Sequence, residues 1–248
     1  MTATAPPAKR DRILLGMLTP SSNTTLEPVT ARLLAGLPEV SAHAGRFRVT
    51  QIALGADALG QFDMTPMLAA ADLLADAHCH AICWNGTSAG WLGFERDIAL
   101  CEAITARTGI AAASSVLAMV EAMQRAGVRR YGLVSPYTDD VQQAIVANFA
   151  RAGYECVAER HAGISVNFDF STLEPAAIDR MLDEVAQSEP QAVIVLCTNM
   201  DAAALAPAFE ARSGALLLDS VATAAWGALR AAGVDARRVR GWGRLFDL

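Results

Sequence analysis

The sequence is short of charge, short of histidine and without a long apolar run, and each shortage removes a class of function. Charged residues make up 19% of its 248 positions, and the balance is acidic, with a net charge of −6. No basic run is present, so a nucleic-acid partner is not expected. The longest apolar stretches are broken by charges, Gly or Pro before they reach the roughly 20 residues that cross a bilayer, so no membrane segment is expected either. The five cysteines are odd in number and irregularly spaced. That pattern argues against a disulfide framework and for a reducing cytoplasm. The four histidines make no HxxxH or other zinc pattern. His78-Cys79-His80 alternates across a strand entry and cannot turn three ligands to one metal. Residues 1–11 lack the apolar core of a signal peptide and read as a loose tail.

What the sequence does have is core material, 53% hydrophobic, enough for one large or two small domains. Apolar runs at Ile13–Leu18, within Val40–Ala53, at Ala81–Trp84 and from Gly109 read as strands. Helical spacing fills about 25–37, 64–77, 95–108 and, capped by Ser114 or Ser115, the stretch to Arg125. The pattern then restarts. Strands are expected at Tyr131–Val134, Tyr154–His161, Val193–Leu196 and Ala215–Leu218. Helices are expected at about 141–152, 173–187 (capped by Ser171 or Thr172), 203–212 and 220–232. Strands alternating with helices predict an α/β fold with parallel sheets.

The restart is also a repeat. Ala106-Arg-Thr-Gly109 recurs as Ala211-Arg-Ser-Gly214 and Ser115-Val116 as Ser220-Val221, each 105 positions later. The spacing predicts two similar flavodoxin-like halves about a pseudo-twofold, with the site in the cleft between them. Residues 12–115 with 219–248 form one half and 116–218 the other. The same alignment sets Gly86-Thr87-Ser88 opposite Cys197-Thr198-Asn199. Both triplets follow a strand, at the end where open α/β sheets bind ligands. A symmetric ancestor would carry a reactive group on each side. This chain carries Cys197 on one and Gly86 on the other.

Pro20-Ser21-Ser-Asn23, Gly86-Thr87-Ser88, Pro136-Tyr137-Thr-Asp-Asp140, Cys197-Thr198 and the ending Gly243-Arg-Leu-Phe246 resemble the aspartate/glutamate racemase superfamily. The similar branches are arylmalonate decarboxylase and maleate cis-trans isomerase. The resemblance runs from Ile13 onward and implies an enzyme acting on a small carboxylate without metal or organic cofactor. Racemases and maleate isomerases use two facing cysteines. Arylmalonate decarboxylase has glycine at the first position, as Gly86 is here. The resemblance therefore implies a decarboxylase in which Cys197 protonates an enediolate held by Thr87, Ser88 and Tyr137. Pro20, Ser21, Asn23, Gly86, Asn167 and Thr198 are the expected substrate contacts. Asn23 and Asn167 also resemble the isomerase pattern, in which such asparagines hold a carboxylate. Isomerisation of a maleate-like diacid, racemisation, and carboxylate binding without turnover are the alternatives. The oligomeric state stays open.

Taken on their own chemistry, several of these residues have simpler uses. Thr87 and Ser88 could be helix caps, Asn23 a turn or cap residue, Tyr137 a surface ring beside the Pro136 turn, and Cys197 a core thiol.

Overall fold

A computed structural model describes residues 12–54 and 63–248, and the tail expected at 1–11 lies outside the described residues. Two four-stranded parallel sheets carry the chain. The first holds β1 (Ile13–Pro20), β2 (Val40–Phe47), β3 (Ala81–Trp84) and β4 (Ala111–Ser114) in the order β2-β1-β3-β4. The second holds β5 (Arg130–Ser135), β6 (Glu155–His161), β7 (Ala192–Val195) and β8 (Leu216–Asp219) in the matching order β6-β5-β7-β8. The expectation of two similar α/β halves is met. β3 and β7 are buried throughout, as apolar central strands of parallel sheets must be.

The repeated letters turn out to be repeated caps. Gly109 and Gly214 both end helices in the left-handed conformation, with φ of 71° and 76°, where a side chain would be strained. Ser114 Oγ accepts from Leu117 N and starts α5 (Ser115–Arg125), which follows α1 (Leu26–Leu33), α2 (Met64–Asp76), α3 (Ala89–Leu92) and α4 (Phe94–Thr108). Past α6 (Asp139–Arg151), α7 (Pro175–Ala186) and α8 (Ala206–Ser213), Asp219 plays the same part for α9 (Ser220–Ala231), accepting from Val221 N and Ala222 N. α5 and α9 pack together, and α9 also lies on β3 and β4. Their first turns interlock, Ser115 Oγ donating to Ser220 O and Thr223 Oγ1 to Ser115 O.

Three expectations need correction. The helix placed at 173–187 begins at Pro175, and neither Ser171 nor Thr172 caps it. Residues Asn167–Thr172 form a 3-10 turn instead, in which those hydroxyls bond back to Phe168 O and Asp169 O. Phe170, fully buried, anchors that turn. The helix placed from 203 starts as a 3-10 turn and becomes α-helical only at Ala206, with Pro207 in its first turn, where a missing N–H costs nothing. Finally, α3 sits inside a stretch read as loop, because four residues are too few to show a period.

α3 joins the halves. Asn148 Nδ2, on α6, donates to Ala89 O, and Gly90 lies so close to Leu196 that a Cβ there would be 2.6 Å from its Cδ2. Across the same end of the sheets, Gln51 pairs with Val166, Ile52 N donates to Ser165 O and Asn167 N to Thr50 O.

Candidate active site

β7 stops at Val195, and its chain runs on over the ends of both sheets. Leu196 N still bonds Val134 O, and then Thr198 Oγ1 donates to Asn85 O at 2.9 Å. That bond brings the Cys197 strand end onto the Gly86 loop. Tyr137, after β5, completes the junction: its hydroxyl lies 2.6 Å from Thr87 Oγ1 and also interacts with the Cys197 sulfur. Tyr137 is buried rather than a surface ring, held edge-on by Trp91 and Phe170. Thr87 is no simple cap, since its hydroxyl goes to Tyr137; Ser88 occupies the N-cap position of α3 and makes no cap bond. Thr87, Tyr137 and Cys197 therefore share one closed junction, with Ser88 next along the loop, and none of the four is more than 5% exposed.

Burial pushes the Cys197 thiol up to about 12, against the N–H groups of Asn199 and Met200 and the Tyr137 hydroxyl, which favour the thiolate. At neutral pH the sulfur carries its proton. Burial, and next the neighbouring Cys197, hold Tyr137 well above its ordinary value, while the Thr87 hydroxyl works the other way. The site is a set of neutral proton donors.

The substrate contacts expected on the β1 loop are tied into the protein. Asn23 Oδ1 accepts from Thr25 N and Leu26 N and so caps α1, while its Nδ2 donates to Thr198 Oγ1 at 3.1 Å. Asn167 Nδ2 donates to Ser22 Oγ, whose hydroxyl goes on to Val49 O. Pro20 is buried at the end of β1, and the exposed Ser21 bonds Val49 through its hydroxyl. Gly86 has a steric reason to be glycine. A Cβ there would lie 1.9 Å from Trp84 Cζ2, so the indole packs directly on its α-carbon.

Asn199 is the residue the sequence reading passed over. Its Oδ1 accepts from Thr24 N and Thr25 N, its Nδ2 donates to Asn167 O at 2.6 Å, and its backbone N–H reaches Cys197 Sγ at 3.3 Å. Its side chain thus clamps the β1 loop to the 3-10 turn while its backbone holds the thiol; a lone Asn after a strand carries no such signal. The Tyr137 turn has its own brace. Tyr137 N donates to Ser135 Oγ, Ser135 Oγ to Gln142 Oε1, and Gln142 Nε2 to Glu159 Oε2, which also meets His161. The Gly243–Phe246 ending is structural: Arg244 N donates to Glu210 Oε2, and Leu245 and Phe246 are buried.

Asp219, beside the thiol, is pushed up to about 7, mainly by burial, against the N–H groups of Val221 and Ala222. A carboxyl raised on folding contributes its stability at acid pH, and that contribution is lost as pH rises through the folded value. Asp219→Asn keeps an oxygen for the cap and removes the charge. Its melting temperature is expected to match wild type near pH 5 and exceed it near pH 8.5, as checked by thermal melts at both values.

Comparison with known proteins agrees with this architecture. A family model described as arylmalonate decarboxylase matches residues 23–246. The arylmalonate decarboxylase of Bordetella bronchiseptica is 25% identical over 236 residues, 94% of this chain and 96% of that protein. The maleate isomerase of Geobacillus stearothermophilus is 25% identical over 206 residues, covering 78% and 80%. Among solved structures, a maleate isomerase variant of Pseudomonas putida with maleate superposes with a TM-score of 0.87 at 20% identity, covering 94% and 97%. A liganded double mutant of arylmalonate decarboxylase gives 0.84 at 21%, covering 95% and 99%.

Proposed function

Because the chain belongs to the arylmalonate decarboxylase family, we propose that it releases CO2 from a malonate-type acid, without a cofactor, and protonates the product on one face. The carbon–carbon bond to one carboxylate breaks, and its electron pair passes to the α-carbon and the remaining carboxylate as an enediolate. Thr87, Ser88 and Tyr137 donate hydrogen bonds to the developing oxyanion charge, and Gly86 and Thr198 line the place where it sits. Cys197 gives its proton to the α-carbon. The N–H groups of Asn199 and Met200 and the Tyr137 hydroxyl hold the resulting thiolate until water returns a proton.

The observation that carries this reading is the asymmetry between Cys197 and Gly86. One strand end bears a protonated thiol. The other bears a glycine whose α-carbon is covered by Trp84, leaving no room for a second acid or base. Racemisation needs both. Isomerisation of maleate needs a thiolate to add to the double bond, and a thiol near 12 supplies very little thiolate. Asn23 and Asn167 favour the isomerase reading, but their amide nitrogens already serve Thr198 and Ser22.

A panel of substituted malonates beside maleate tests the choice. CO2 release with no fumarate formed supports the decarboxylase; conversion of maleate to fumarate without CO2 release replaces it with the isomerase. Tyr137→Phe removes one donor from the oxyanion and is expected to lower kcat by about 10²–10³-fold, with KM little changed, in steady-state kinetics on the best malonate of the panel.

A further inference from the structure

The brace behind Tyr137 runs outward through two buried residues, Ser135 and Gln142, and ends on His161. A carboxylate only accepts, so Gln142 Nε2 must donate to Glu159 Oε2, at 2.8 Å. That leaves Gln142 Oε1 to accept from the Ser135 hydroxyl at 2.6 Å, and Ser135 Oγ to accept from Tyr137 N at 3.3 Å. Glu159 thus sets the direction of every bond in a chain that finishes on Tyr137. His161 closes the other end. Its Nδ1 lies 2.8 Å from Glu159 Oε2 and its Nε2 2.5 Å from Asp139 Oδ1. Asp139 opens α6 two residues after Tyr137. Past His161 the chain runs into Ala162, Gly163 and Ile164, whose N–H groups bond Ser135 O, Tyr137 O and Pro136 O. The end of β6 therefore holds both the N–H and the carbonyl of Tyr137.

A ring with a carboxylate at each nitrogen has two bonds to donate, and a neutral imidazole has one N–H. Only the imidazolium serves both. Burial works against its charge, but the hydrogen bonds and charges of Glu159 and Asp139 outweigh it and hold the ring above its ordinary 6.5. The other charges nearby are engaged elsewhere. Arg160, on the opposite face of β6, pairs with Glu184 of α7, and Asp140 of α6 accepts from Thr138 Oγ1. The His161 side chain is 21% exposed, so water can exchange its proton. We propose that His161, as an imidazolium, is a positioning residue for Tyr137, tying the start of α6 to the end of β6 so that the tyrosine hydroxyl is aimed at the oxyanion. When the ring loses its proton, one of the two carboxylates loses its donor and the turn is held from one side only. The lock on the turn stands on the geometry alone; its effect on turnover rests on the decarboxylase reading. Glu159→Gln restores a complete set of bonds without charge. Its amide N–H donates to Nδ1 of a neutral ring, its oxygen accepts from Gln142, and Nε2–H serves Asp139.

Nuclear magnetic resonance of ¹⁵N-labelled protein, titrated with acid and base, reads the lock without substrate. The chain has four histidines and three tyrosines. His161→Ala assigns the ring and Tyr137→Phe the Tyr137 amide, each by the resonance that disappears. The ring is expected to titrate above 6.5, with the Tyr137 amide moving at the same midpoint; Glu159→Gln is expected to abolish the movement of the amide. Wild-type kcat on the best malonate is expected to step down at that midpoint and to be level again from pH 8, where the buried thiol keeps its proton. Glu159→Gln should lack the step. His161→Ala is expected to lower kcat about tenfold at pH 6, part of what losing the Tyr137 donor would cost, with KM little changed, and to approach the wild type at pH 8. If His161→Ala does not fold, Glu159→Gln carries the test, and selective ¹⁵N-histidine labelling follows the ring. A Tyr137 amide that ignores the His161 titration overturns the proposal. So does a His161→Ala variant slowed equally at both pH values, which would show a merely structural residue. An amide that follows His161 in a protein that turns over no malonate leaves the lock standing and removes the decarboxylase.

Discussion

Cys197→Ala is expected to lower CO2 release by about 10²–10⁴-fold, the usual contribution of a positioned general acid, with the fold retained. The sulfur is buried among Tyr137, Asn199 and Met200, and its loss deletes a small group that accepts from the backbone N–H groups of Asn199 and Met200. Enediolate formation would still be assisted by the hydroxyls, so residual turnover should yield product with weakened enantiomeric preference. The same thiol fixes the pH profile. A cysteine with the ordinary value of 9.0 would lose its proton between pH 8 and 10; one pushed up to about 12 keeps it. kcat of the wild type is therefore expected to hold across that interval, and alkylation by iodoacetamide at pH 8 to be slow. A drop in kcat centred near pH 9, accompanied by rapid alkylation, would show an ordinary thiol and remove the acid from the mechanism.

Gly86→Cys is expected to be severely destabilising. Its Cβ would lie 1.9 Å from Trp84 Cζ2 and 2.4 Å from Cη2, and Trp84 is itself fixed in the core against Phe47. Forcing atoms into a packed interior costs about 1–3 kcal/mol and sometimes more. The depth of this overlap puts it at about 3 kcal/mol or beyond, a fall in Tm of about 6–12 °C for a chain of this size. Trp84→Ala is costly by itself, yet in that background the added Gly86→Cys should cost almost nothing. The two changes are therefore strongly non-additive. Thermal melts of the two single variants and the double variant check this. Any folded double variant carries a thiol on each side and should give product of lower enantiomeric purity. Gly86→Cys folding as well as wild type would mean that Trp84 does not guard this position.

Much of this was legible in the letters, and the reasons are specific. Gly109 and Gly214 recur at one spacing because both end equivalent helices with positive φ. Ser114 and Asp219 are different residues in the same role, since either oxygen can cap a helix. β3 and β7 read as buried strands because nothing polar interrupts them. The asymmetry of Cys197 and Gly86 was equally visible. Its cause was not, since nothing in Ala81–Trp84 says that the indole folds forward over the residue two places on. Asn23 shows the limit of residue-type reasoning: one amide caps α1 with its oxygen and bonds Thr198 with its nitrogen, so turn chemistry and site architecture coincide. Asn199, which bonds residues distant in sequence, could not be valued before the chain was folded. The 3-10 turn at Asn167–Thr172 was hidden because Ser171 and Thr172 look like caps for the helix that follows.

The central claim is protonation from one face by Cys197, and turnover of a prochiral 2-alkyl-2-arylmalonate in D2O tests it most directly. The account predicts one CO2 per turnover and a single deuterium at the α-carbon, in one enantiomer. That preference should weaken or vanish, along with most of the rate, in Cys197→Ala. Racemic monodeuterated product from the wild type, or a Cys197→Ala variant with undiminished rate and selectivity, would contradict it.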